Sequence, residues 1–163
     1  MSDLIKAPRE LRDKTGAGVP GGGRAIVKKA ELAAKRHLDR VDYRSIAQES
    51  LDRLRRLTAQ LDDSPADKAL CKQIYEVAHN LRGEGSSFGY PAVSQVAELI
   101  CRMTDRSGDL TKPGLRVIKV QIDALRAMVR YNVKGAPQGL AMDVITALAT
   151  LVGRFTTILS GRR

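Results

Sequence analysis

The chain has no tryptophan, and four tyrosines and two phenylalanines are its only aromatic residues. An aromatic stacking platform for single-stranded nucleic acid is therefore missing. Cys71 and Cys101 are its only cysteines, too few and too widely spaced for a zinc motif or a disulfide scaffold. Alternating Val-Ile-Thr runs are scarce, which argues against sheet. The first residues are polar and lack the apolar segment of a secretory signal, so a cytoplasmic protein with reduced thiols is expected. The longest apolar tract, Leu140 to Leu159, is broken by Asp143, Thr146, Thr150, Gly153 and Arg154 and is read as something other than a membrane span. There is also no Ser/His/Asp set and no metal-ligand cluster to suggest a hydrolase.

What the chain does have is Ala, Leu, Arg, Lys and Glu at helical spacing, which favours an all-α fold. At 163 residues it is long enough for one domain with a sizeable core. Twenty-eight basic residues against 18 acidic ones leave a formal charge of +10. That suits an acidic partner: nucleic acid, anionic lipid or an acidic protein face. No recognition-helix motif accompanies the charge, so neither nucleic acid nor membrane is expected as the partner.

Residues 1–23 carry Pro8, Gly16, Gly18, Pro20 and the run Gly21-Gly22-Gly23, the composition of a flexible tail. Residues 24–41 read as an N-terminal helical arm with a thin apolar stripe; His37 there sits among charges and is taken as solvent-facing. The compact part is expected over 42–160. Its first helix shows Ile46, Leu51, Leu54, Leu57 and Leu61 on one face. Ser64-Pro65-Ala66-Asp67 has the composition of a helix start, with a Ser cap and Pro in the first turn. The second helix runs to about Ser87. Gly89-Tyr90-Pro91 starts a third that ends near Gly108. Thr111-Lys112-Pro113 starts a fourth with the stripe Leu115, Ile118, Ile122, Leu125 and Val129, closed by Gly135-Ala136-Pro137. A fifth, about 138–159, shows Leu140, Val144, Leu148, Leu151, Phe155 and Ile158. It adds core or offers an amphipathic seam for a dimer. Short connections make neighbours antiparallel, so the architecture expected is an up-down antiparallel four-helix bundle with an additional C-terminal helix.

Within this plan one segment stands out: Ala78-His79-Asn80-Leu81-Arg82-Gly83-Glu84-Gly85-Ser86-Ser87-Phe88-Gly89-Tyr90. At about 100° per residue, Leu70, Ile74, Val77, Leu81 and Phe88 fall opposite His79. Lys68, Lys72, Tyr75, Glu76, Arg82, Gly83 and Ser86 share its side. A helix with one apolar stripe buries that stripe and leaves the other face wet, so His79 is expected on the surface beside cations and small residues. A neutral imidazole there can act as a nucleophile near physiological pH, and Arg82, one turn on, can bind two oxygens of an anion at once. Glycine inside a helix costs on the order of 1 kcal/mol relative to Ala. Gly83 therefore calls for a reason, and clearance beside the ring for a phosphoryl group and an incoming surface supplies one. Gly85, Ser86 and Ser87 extend the low relief.

These residues resemble the histidine phosphotransfer (HPt) domain, the helical module that relays phosphoryl groups in two-component signalling. In that family the phosphorylated histidine is followed by an apolar residue, a cation and a glycine at the second, third and fourth positions, with another glycine at the tenth. Here they are Leu81, Arg82, Gly83 and Gly89. The ending Ser87-Phe88-Gly89-Tyr90 is similar to the phosphotransfer domain of chemotaxis histidine kinases. Arg82 stands in place of the commoner lysine, and Glu84 puts a negative charge at the rim where small residues are usual.

The resemblance implies a phosphorelay intermediate that accepts a phosphoryl group on His79 Nε2 and exchanges it with the aspartate of a response-regulator receiver domain. It implies a phosphocarrier without kinase activity of its own, since the chain has no Gly-rich nucleotide loop. It also implies no resident cofactor, the Mg²⁺ being carried by the partner receiver, with a hybrid histidine kinase as a further partner. A group on the next helix would orient the ring through its other nitrogen, with Glu98 first and Gln95 second. The alternative is a docking module for two-component proteins that relays nothing. The sequence leaves the direction of phosphoryl flow and the oligomeric state open, with a monomer slightly favoured.

Overall fold

A computed structural model describes residues 26–32, 42–62, 67–105 and 110–160. The chain divides into two units, one ending at Val41 and one beginning at Asp42. Of the first, residues 26–32 are helical; the expected tail, the rest of the arm and His37 lie outside the described residues. Among its described residues the second unit holds five helices: α1 (Tyr43–Gln60), α2 (Lys68–Ser87), α3 (Pro91–Thr104), α4 (Lys112–Arg130) and α5 (Leu140–Ser160). No strand occurs among the described residues. α1 packs on α2, α2 on α3, α3 on α4 and α4 back on α1, closing an antiparallel four-helix bundle. α5 lies outside that ring against α3 and α4.

Side-chain caps set three of the helix starts. The Asp42 carboxylate accepts from Arg44 N at 3.2 Å, and the same residue's guanidinium holds the Asp42 carboxyl below its ordinary range. Asp67 accepts from Ala69 N at 2.8 Å and Leu70 N at 3.0 Å, so Asp67 is the N-cap of α2. The expected Ser64-Pro65 start gives way because a carboxylate that reaches two orphan amides ends the helix at that point; Ser64 to Ala66 lie outside the described residues. Thr111 caps α4 through Gly114 N at 3.3 Å. Helix α3 ends at Thr104, short of Gly108, and α4 ends at Arg130, well before Gly135.

The core is a run of fully buried aliphatics, among them Leu54, Ile74, Leu81, Ile100, Ile118 and Leu125. The α4 stripe is buried throughout, as its periodicity predicts. In α1, Ile46 is at the surface while Tyr43 and Ala47 are inside. The larger departure is α5. Its buried row is Ile145, Leu148 and Val152, whereas Leu140 and Leu151 are 79% and 42% exposed. The helix has two adjacent apolar rows: one is buried against α3 and α4, and of the other Val144 is half-buried on the core while Leu140 and Leu151 are exposed. By length and composition, Leu140–Thr157 also reach the mean hydropathy (1.3) of a membrane span, in spite of the polar interruptions.

The turn after α2 is closed from afar. Gly89 takes a φ of +79°, a left-handed conformation natural to glycine, and its carbonyl accepts from Gly135 N at 3.0 Å. The Tyr90 hydroxyl donates to Asn132 Oδ1. Tyr43 packs between the rings of Phe88 and Tyr90, with centroids 5.1 and 4.7 Å away. Glu84 turns toward this aromatic cluster instead of the rim expected of it. Its Oε2 is buried without a hydrogen-bond partner, and burial raises its carboxyl above the ordinary range. A carboxyl raised on folding stabilises the fold below its unfolded value and loses that contribution as pH climbs through the folded one. Glu84→Gln is therefore expected to raise the melting temperature near neutral pH, with the gain fading as pH falls into the carboxylate range. Thermal melts at both conditions check it.

Candidate functional site

α2 and α3 form a hairpin whose outer face carries the site. The apolar side of α2 faces the core through Ile74, Val77 and Leu81, and helical phase then turns His79 outward, where it is exposed. Three neighbours frame the ring. Tyr75, one turn earlier, stacks on the imidazole with centroids 5.8 Å apart and planes 25° from parallel. Arg82, one turn later, places Nη2 3.3 Å from His79 Nδ1. The other guanidinium nitrogen of Arg82 donates to Glu98 Oε2 on α3. This pair is about two-fifths exposed on both sides, and the carboxylate raises the Arg82 guanidinium above its ordinary value.

Glu98 thus lies where the sequence placed it, beside the histidine on the next helix, but its partner is Arg82 and not the imidazole. The reason is reach: a guanidinium one turn along α2 spans the gap that the shorter carboxylate leaves. Gln95 is exposed and makes no contact with the ring. An arginine has donors only, so Nδ1 accepts from it and the ring proton sits on Nε2 in this arrangement. Tyr75 shares the histidine's helix face in the sequence, yet its stacking went unassigned; the four-residue spacing was the available signal.

The two glycines behave differently. A methyl group built on Gly83 meets nothing within 4 Å, the imidazole included, so crowding of the ring is not what this glycine avoids. The space it leaves is open to whatever approaches from outside. Gly85 is buried, contrary to its expected place on the low-relief surface. A methyl there would lie 2.8 Å from Ser94 Oγ and 3.1 Å from the Tyr90 carbonyl oxygen. It is the close-approach point between α2 and α3. Beside it Ser94 Oγ donates to the Arg82 carbonyl at 2.7 Å and accepts from Ser86 Oγ at 2.9 Å, which fixes the backbone under the arginine.

Toward the start of α2 the same face continues into a groove of about 380 Å³ lined by Lys68, Lys72, Tyr75, Thr104 and Asp105. Cys101 is buried behind Tyr75, and desolvation pushes its thiol up to about 11, out of the range of a reactive thiolate. The site can therefore offer an anion two things: an imidazole nitrogen and a guanidinium within reach of it, with lysines alongside.

A model of the Hpt domain matches residues 43–128, from the first residue of α1 into the last turn of α4. Neither the curated proteins nor the solved structures compared with the chain gave a match. The matched span covers more than half of the 163 residues and coincides with the four-helix bundle that presents His79. The chain therefore belongs to the Hpt domain family, the phosphocarrier modules, distinct from kinases, of two-component signalling.

Proposed function

We propose that His79 is the phosphoacceptor and that the chain exchanges its phosphoryl group with the aspartyl phosphate of a response-regulator receiver domain. The observation that supports this most is an exposed imidazole held between Tyr75 and Arg82 on an otherwise amphipathic helix. Phosphoryl transfer asks little covalent chemistry of a protein beyond in-line approach and positive charge near the equatorial oxygens. Arg82 provides that charge. As it turns from Nδ1 and Glu98 toward the phosphoryl oxygens, Nδ1 becomes free to hold the ring proton and Glu98 free to accept a hydrogen bond from it. The Nε2 lone pair then attacks phosphorus. The P–O bond to the receiver's aspartate breaks, the aspartate leaves as carboxylate, and the ring proton stays on Nδ1 facing Glu98. Mg²⁺ belongs to the receiver in this scheme. Glu98 acts as ring orienter only once Arg82 has released it, and Gly83 leaves room for the receiver's surface.

Incubation with phosphorylated receiver domains, followed by label on this chain, is the direct test. Acid-labile, base-stable label at His79 is the expected product; no label from any receiver of the source organism sinks the proposal. Arg82→Ala is expected to slow transfer about ten- to a hundredfold, the worth of one or two hydrogen bonds to a charged group. Its helix content should stay unchanged, because the side chain is part-exposed and lies outside the core. Stopped-flow or quench kinetics on the purified variant measures this.

A further inference from the structure

The exposed apolar row of α5 is a feature that the phosphotransfer reading leaves unused. Leu140, Ala147 and Leu151, which are exposed, and Val144, which is half-buried against the core, recur at spacings of four, three and four, the a/d pattern of a coiled-coil seam. Ile145, Leu148 and Val152 occupy the neighbouring row and are spent on the bundle. α5 contains two charged residues, Asp143 and Arg154. Both lie on the same edge of the exposed row at about 100° per residue, 11 positions apart and equally distant from a point between Leu148 and Ala149.

That placement chooses among occupants. When two copies of a helix pack antiparallel about a two-fold axis, matching edges face each other and residue i of one copy meets residue j of the other, and j meets i. With the axis near Ala149, Ala147 of each copy faces Leu151 of the other, small against large. Arg154 comes beside Asp143 of the second copy, and the same pair closes again by symmetry. A parallel pair would instead set this edge against the other copy's opposite edge, which carries no charge, and both pairs would go unmade. A lipid surface would leave that pairing unused.

We propose that α5 is a homodimerisation helix, seated antiparallel on α5 of a second copy of this chain. Because α5 packs on α3 and α4, both His79 faces stay open and the dimer presents two phosphoacceptor sites. One helix about 30 Å long offers less than the roughly 800 Å² per partner of a standard interface, so a dissociation constant of about 10–100 µM is expected.

Sedimentation velocity of the full chain across that range, at physiological ionic strength so that the +10 charges are screened, reads the outcome. The mass should rise from 17.8 kDa toward twice that value. Leu151→Glu should abolish the rise. Asp143→Arg and Arg154→Asp should each weaken association about tenfold, and the double exchange should restore it to within about threefold, since attraction returns with its sign reversed. Circular dichroism confirms that each variant is folded. A single-chain mass at all concentrations overturns the proposal, whether lipid or another part of the chain covers the row. So does a dimer indifferent to Leu151→Glu, or one that the double exchange fails to rescue.

Discussion

His79→Gln is expected to take up less than about a thousandth of the label that the wild-type chain accepts from a phosphorylated receiver, because no other side chain on this face can replace a lost nucleophile. The amide keeps the size and polarity of the ring but has no basic lone pair. Stability should move by less than about 0.5 kcal/mol, since the residue is exposed and makes only a long contact to Arg82 and a loose stack on Tyr75. Loss of label in a chain that melts normally separates a phosphocarrier from a docking module. A module that only docks would bind the same receivers and lose nothing measurable when His79 is changed. Equal labelling of the variant would place the phosphoryl group elsewhere and end the reading.

The second large effect is a contrast between neighbours. Gly83→Ala is expected to stabilise the fold by roughly 0.5–1 kcal/mol, the helix propensity gained where the new methyl touches nothing. Gly85→Ala, two residues on, gains the same propensity but forces apart α2 and α3. The Tyr90 carbonyl it would meet at 3.1 Å is backbone and cannot rotate away. Overpacking of this kind costs about 1–3 kcal/mol, so the net effect is loss of stability, and Ser94 must also give up its hold on the Arg82 carbonyl. Denaturant unfolding of both variants reads the difference in sign. Gly83→Ala should still slow transfer from a receiver despite its added stability, because its methyl group occupies space the docked surface needs. If both variants shift stability in the same direction, the account of the two glycines fails.

These glycines also show how far the sequence could be read. Gly83 is six residues from the apolar Val77 and shares the phase of His79, so angular arithmetic alone placed it outside. Gly85 needs knowledge of a second helix: nothing in α2 says that Ser94 and Tyr90 lie against it, since that depends on the register of the hairpin. The same limit applies to Glu98. Its proximity to the site followed from the hairpin, but whether its carboxylate meets the imidazole or the guanidinium turns on side-chain reach. The α4 stripe was legible because one apolar row allows one answer. In α5 two rows lie side by side, and the choice between them is made by α3 and α4, which no local pattern contains. Residues before Val41 belong to a separate unit, and the arm expected there is described only as the helical stretch 26–32.

The tie between Gly135 and Gly89, reinforced by Tyr90 and Asn132, has a consequence for how the chain opens. The far end of the phosphoacceptor helix is latched to backbone more than forty positions downstream, so it cannot fray as an ordinary terminus does. In deuterated solvent the Gly135 amide should keep its proton as long as the slowest core amides. The turn nearest the reactive imidazole would then come apart only when the whole bundle does.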